Sequence, residues 1–269
     1  MVTELAESVH VWRETAERVV ELCGGLAADD WSRPTDLPGW SVHDVVAHLA
    51  DIETQLAGMV QVRPGRPSVT GQVPPEWTGP GVDARRDTPS GVVLAELDDA
   101  VRGRAALLAD ALPDGPGTRP AWTPAGVDWD WATMLRMRVV DVWVHEQDIR
   151  RAVGIAGGLS SPGAGMVVDR FATTLPYVLG KKVSPPVGTE VAWEVVGEVA
   201  VDVRLVVGPD GRARPADGQP APGCTLLHMD TETFTILGAG RRPVDGVPMR
   251  IDGDRGLGTR VATAMAVTP

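Results

Sequence analysis

"VVDVWVHEQDI", residues 139 to 149, sets Asp141 and His145 four positions apart in an otherwise apolar run. Four residues carry an α-helix about 40° past a full turn, so the two side chains share a face. Asp130 is a candidate N-cap and Gly154 a stop, so one helix is expected across 131 to 154. A carboxylate and an imidazole on that face fit two readings. They are satisfied polar groups at the wet edge of a bundle, or they are two donors of a metal site. A third donor from a facing helix separates the two.

Working outward, "SVHDVVAHLADIETQLAGMVQ" opens with Ser41 as N-cap and Asp44 at the third position, which predicts a helix running to residue 61. His48 lies four residues after Asp44 and three before Asp51, and it is the candidate third donor. His48, Asp141 and His145 match what zinc takes: N and O donors converging on one point with a position left open. Spacing alone leaves the structural reading standing. Asp44 and Asp51 are candidates to hold the other ring nitrogen of His48, although Asp44 is equally explained by the helix dipole. Arg138 and Asp148 lie on the Asp141 stripe and either extend the polar site or form a surface ion pair. His43 is expected to be exposed, and His10 and His228 have no partner pattern. Trp129, Trp131 and Trp143 either line a pocket or fill the core.

The rest of the first 180 residues also reads as helical, with proline-rich loops. A first helix is expected from Thr3 to Cys23, with Thr3 as cap and Gly24-Gly25 as stop. Residues 62 to 89, which hold Pro64, Pro67, Pro74, Pro75, Pro80 and Pro89, are expected to be loop. Further helices are expected from Ser90 to about Ala111, and from Ser161-Pro162 to Gly180. After "KKVSPPVGTE" the character changes: "TEVAWEVV", "VAVDVRLVVG", "CTLLHMD" and "PMRIDGD" read as strands, and "TETFTILGAG" as a short helix capped by Thr231. A closing helix runs toward Met265. The expected organisation is a helical domain over 1-182 and an α+β domain over 183-269.

Composition narrows the function classes. A hydrophobic content of 43% supports a packed core, and a net charge of −11 argues against a nucleic-acid partner. No apolar run is long enough for a membrane span, and no secretory leader pattern opens the sequence. Cys23 and Cys224 form no CxxC pair, so reduced thiols and a cytoplasmic location are expected. No phosphate loop, GxSxG elbow or GxGxxG turn is present, which disfavours kinase, hydrolase-elbow and dinucleotide chemistry.

Residues 31 to 53, "WSRPTDLPGWSVHDVVAHLADIE", together with "RVVDVWVHEQDIRRAVG", resemble the mycothiol-dependent maleylpyruvate isomerase family. That family sits among the DinB-like metal-binding four-helix bundles, and the closing α+β segment is similar to its sterol-carrier-like C-terminal domain. The resemblance implies zinc, with His48 as first ligand and His145 as third, and mycothiol as thiol cosubstrate. Where the isomerase type carries glutamate, this chain carries Asp141, one methylene shorter.

The expectation is therefore a zinc-dependent enzyme that presents a low-molecular-weight thiol to a small-molecule electrophile. Its outcome is S-transfer or cis-trans isomerisation, and the aspartate favours transfer. Alternatives are a non-catalytic small-molecule-binding protein and a thiol-independent metal hydrolase. Arg241 and Arg85 are candidate catalytic residues, and Arg242 and Arg138 candidate cofactor-binding residues. A carboxylate on thiol or substrate would suit a guanidinium, while a solvated arginine is the alternative at each position. A monomer or homodimer is expected, without nucleic-acid or membrane partners.

Overall fold

The computed structural model describes residues 4–65, 73–112 and 115–267. Thr3, the expected cap of the first helix, and Pro67 of the expected loop lie outside the described residues. The chain divides into two compact units, Met1 to Gly158 and Leu159 to Thr268.

In the first unit, α1 (Glu4–Gly24), α2 (Val42–Leu56), α4 (Ser90–Asp110) and α5 (Trp131–Val153) pack as a four-helix arrangement. α1 lies on α4 and α5, and α2 lies on the same two helices. Each helix turns an apolar stripe inward at helical spacing. On α1 it includes Leu5, Val11, Trp12, Ala16 and Val19, and on α4 Val93, Leu97, Val101 and Leu108. α2 starts in a capping box: Asp44 N–H donates to Ser41 Oγ, and Ser41 N–H donates to Asp44 Oδ2. α5 is capped by Asp130, which accepts from the Thr133 N–H at 2.8 Å, and stops at Gly154 with φ +73°.

Two expectations in this unit are corrected. α2 ends at Leu56 rather than residue 61. Gly58 adopts φ +67° and the Met59 N–H donates to Thr54 O, which closes the last turn and releases the chain. The proline-rich segment contains a helix, α3 (Pro75–Asp83), packed on α2. Pro75 occupies the first turn, where its missing N–H costs nothing, so proline there opens a helix instead of breaking one.

In the second unit, α6 (Pro162–Ala172) is capped by Ser161. It stops at residue 172 rather than Gly180, giving way to a short turn α7 (Leu175–Tyr177) and a wider helical turn over Val178–Val183. Strands β1 (Glu190–Val196), β2 (Val201–Val207), β3 (Ala213–Pro215), β4 (Thr225–Asp230) and β5 (Met249–Asp252) form one sheet. Its order is β3-β2-β1-β4-β5, with β1 and β4 parallel and the other pairs antiparallel. α6, α8 (Thr231–Gly238) and α9 (Arg255–Ala264) pack on the sheet. The alternation explains the sidedness: Val191, Trp193 and Val195 are buried, while Glu194 and Val196 are exposed. Thus α6, grouped by sequence with the helical half, packs against α8 and β2. The cap of α8 is Asp230, whose Oδ1 accepts from the Thr233 N–H, rather than Thr231. The Thr231 hydroxyl instead donates to Val199 O.

Candidate metal centre

α2 and α5 face each other across the first unit, and their contact brings His48, Asp141 and His145 together. One donor atom from each lies within 4.8 Å of the others. Among the described residues this is the single group of three or more His, Cys, Asp or Glu with that convergence. His48 Nε2 stands 3.5 Å from Asp141 Oδ1 and 3.4 Å from Oδ2, and His145 Nε2 stands 3.7 Å from Oδ1. These separations are long for hydrogen bonds. They match the roughly 3.3 Å expected between donors about 2.0–2.1 Å from a shared tetrahedral centre. Both histidines are buried, while the Asp141 side chain keeps 29% of its surface, so the cluster is open on the carboxylate side. The donor set fits a divalent metal of the zinc type.

The supporting contacts orient each donor. Asp148, wholly buried, accepts at Oδ1 from Arg151 Nη2 and lies 3.0 Å from His145 Nδ1 at Oδ2. An ionised carboxylate only accepts, so Nδ1 carries the proton and Nε2 keeps its lone pair for the cluster. Arg151 is itself tied to Asp36. Asp141 Oδ2 accepts from Arg138 Nη1 at 2.9 Å. Burial alone would raise the Asp141 pKa, but Arg138 and His48 outweigh it and hold the carboxyl well below the usual range. Burial pushes the His48 imidazole down despite the opposing pull of Asp141, so the ring is neutral at neutral pH. Neutral imidazole is the form that binds metal.

Arg138 and Asp148 are buried parts of the site, not a surface ion pair. Neither Asp44 nor Asp51 holds the second ring nitrogen of His48, and Nδ1 of His48 has no partner among the described residues. Asp44 is used by its helix cap. Asp51 is claimed by Arg63, Arg85 and the Gln55 amide. Arg85 donates to Asp51 and Glu96, so its guanidinium is engaged in ion pairs. Arg241 and Arg242 lie in the second unit, on the loop after α8, and line a cavity of about 250 Å³ with Pro243 and Ala262. Arg241 donates to Ala239 O. Expected to be exposed, His43 is half-buried, its Nε2 2.8 Å from Thr88 O. His228 lies between Glu194 and Asp252 at the sheet surface.

Sequence reasoning missed two residues. Trp40 stands beside both imidazoles, with ring centroids 5.3 Å from His48 and 6.3 Å from His145, the latter stacked at 23°. Trp143 is core, its indole N–H donating to Gly158 O, and Trp129 packs against the apolar cluster of Ile52, Trp77, Ala125 and Val127. The other missed residue is Glu53, fully buried on α2. Its Oε1 accepts from Trp12 of α1 and Arg138 of α5, and its Oε2 accepts from Arg104 of α4. The signal existed: Glu53 follows Leu49 by four on the apolar stripe, as Arg104 follows Val101 by three.

Residues 12–150 match the family model described as mycothiol maleylpyruvate isomerase N-terminal domain. Two solved structures share the fold at low identity. One is the crystal structure of the mycothiol-dependent maleylpyruvate isomerase, 16% identical, with a TM-score of 0.59 over 93% of this chain and 95% of that one. The other is a point mutant of that enzyme, 15% identical with the same score and coverage. Nothing among the curated proteins matches the chain. Among the described residues, no helix is long and apolar enough to cross a membrane.

Proposed function

The chain belongs to the mycothiol maleylpyruvate isomerase N-terminal domain family, and from that premise we propose that it is a zinc-dependent enzyme presenting mycothiol to a small electrophile. The convergence of His48, Asp141 and His145 within 4.8 Å carries this reading. Those three residues would hold the metal. Bound there, a divalent zinc supplies a Lewis acid that lowers the pKa of a thiol and yields thiolate at neutral pH.

The chain's own residues do the rest. Asp148 keeps the proton on His145 Nδ1 and so fixes the tautomer. Trp40 shields the imidazoles on one side, and the exposed edge of Asp141 marks the open approach. Thiolate sulfur then forms a bond to the electrophilic carbon. In transfer, the leaving group departs with its electron pair and the thioether persists. In isomerisation, sulfur adds to a double bond conjugated with a carbonyl, the electron pair moves to the carbonyl oxygen, and rotation precedes expulsion of sulfur. Aspartate in place of the family's glutamate favours transfer over maleylpyruvate isomerisation. A reducing compartment such as the cytoplasm suits a free thiol cosubstrate.

Incubation of the purified protein with mycothiol and a panel of electrophiles, including maleylpyruvate, tests the reading by mass spectrometry. The expected result is a thioether adduct whose formation needs both metal and thiol. Conversion that proceeds equally well without thiol would replace this reading with a hydrolytic one.

A further inference from the structure

We propose that Arg138, anchored by the buried Glu53, is a positioning residue that turns Asp141 into a one-oxygen donor beside His48 and His145. The proposal rests on the metal reading of the same site.

Arg138 precedes Asp141 by three residues on α5, so its guanidinium reaches across the same face. Its Nη1 takes Asp141 Oδ2 at 2.9 Å; Oδ2 also lies 3.4 Å from His48 Nε2, but Oδ1 is the oxygen set toward both imidazoles, at 3.5 and 3.7 Å. The far edge of the same rigid fork is held as well: Nε and Nη2 both donate to Glu53 Oε1, at 3.1 and 2.8 Å. A planar group engaged on two edges is held in orientation, and its bond to Oδ2 biases the carboxylate toward presenting Oδ1. The same Glu53 Oε1 also accepts from Trp12, and so the orientation of Asp141 is referenced to α1, α2 and α5. Arg104 shares Glu53 with Arg138 but sits on its opposite oxygen, away from the bond to Asp141, which provides a control inside the same cluster.

The full-length protein loaded with cobalt(II) reads donor geometry through its visible absorption, and zinc affinity follows from competition with a chromophoric chelator. Arg104→Leu is expected to lower the unfolding midpoint while leaving the cobalt spectrum and zinc affinity as in wild type. Arg138→Leu is expected to weaken zinc binding about tenfold or more and to shift the cobalt bands. Arg138→Lys keeps the charge without the fork and is expected to show the same shift, so it carries the test should the leucine variant fail to fold. The proposal is overturned if the Arg138 variants bind metal with wild-type affinity and spectrum, or if Arg104→Leu disturbs both as much. Wild-type protein that binds no zinc would overturn the metal reading along with it.

Discussion

Two charged clusters lie side by side in the bundle, joined by Arg138, and they are built in opposite ways. Around Glu53, both carboxylate oxygens accept short bonds from two buried arginines and an indole, so the carboxylate's accepting capacity is filled by buried groups, and the second positive charge is answered by Asp141 across Arg138. Around Asp141, one oxygen is held by Arg138, and the carboxylate faces two imidazoles at 3.4 to 3.7 Å. Those contacts are too long to satisfy the groups and well spaced for a shared cation. The closed cluster links side chains from four helices, while the open one sets donor atoms facing one another at the spacing of a metal site. Substitutions in each should separate the two roles.

The largest effect is expected at the closed cluster. Glu53→Leu leaves two buried arginines without their carboxylate and should cost about 3–5 kcal/mol in urea denaturation. A loss near 1 kcal/mol, roughly what an exposed pair contributes, would mean the cluster is hydrated and open like its neighbour. The pH dependence has a definite sign. Burial opposes ionisation of Glu53, but Arg104 and Arg138 prevail and hold its pKa below the usual value. Its stabilising contribution is therefore complete above the unfolded glutamate pKa of about 4.3 and is lost as pH falls through the lower folded value. The stability gap between wild type and Glu53→Gln should accordingly narrow only in acid.

At the open cluster the effect moves from stability to function. His48→Ala should reduce thiol-dependent turnover about a hundredfold, near 2.7 kcal/mol of transition-state stabilisation. Urea unfolding of its metal-free form should shift less than that of Glu53→Leu. Asp148→Asn acts through His145 rather than on the metal and should weaken metal affinity about tenfold, read by chelator competition. The smallest effect concerns solvent exclusion. Cys23 is buried, and burial pushes its thiol up to about 12. The folded protein at about pH 8, near the ordinary thiol pKa, should therefore leave Cys23 unalkylated by iodoacetamide until denaturant is added.

The open cluster was legible in the sequence because its residues interrupt apolar helices at i,i+4 spacing, and because His48 sits in a segment with a recognisable pattern. Asp44 and Ser41 declared their cap for the same local reason. Glu53 was harder to see. Its partners Trp12, Arg104 and Arg138 come from three other helices, so no window of sequence contains the cluster, and a glutamate beside Asp51 and Thr54 reads as one more solvated acid. Trp40 was hidden differently, since it precedes the helix and its position depends on how the loop turns back over α2. α3 escaped because prolines at its start read as breakers. α6 reads as one more bundle helix because periodicity identifies a helix but not the surface it packs on.

That His48, Asp141 and His145 form one metal site is the central claim. Zinc titration of metal-stripped protein, followed by isothermal calorimetry for wild type and the His48→Ala/His145→Ala double variant, tests it most directly. One zinc per chain is expected in wild type and none at that affinity in the double variant. Wild type without a stoichiometric site, or a double variant that binds zinc as wild type does, would contradict it.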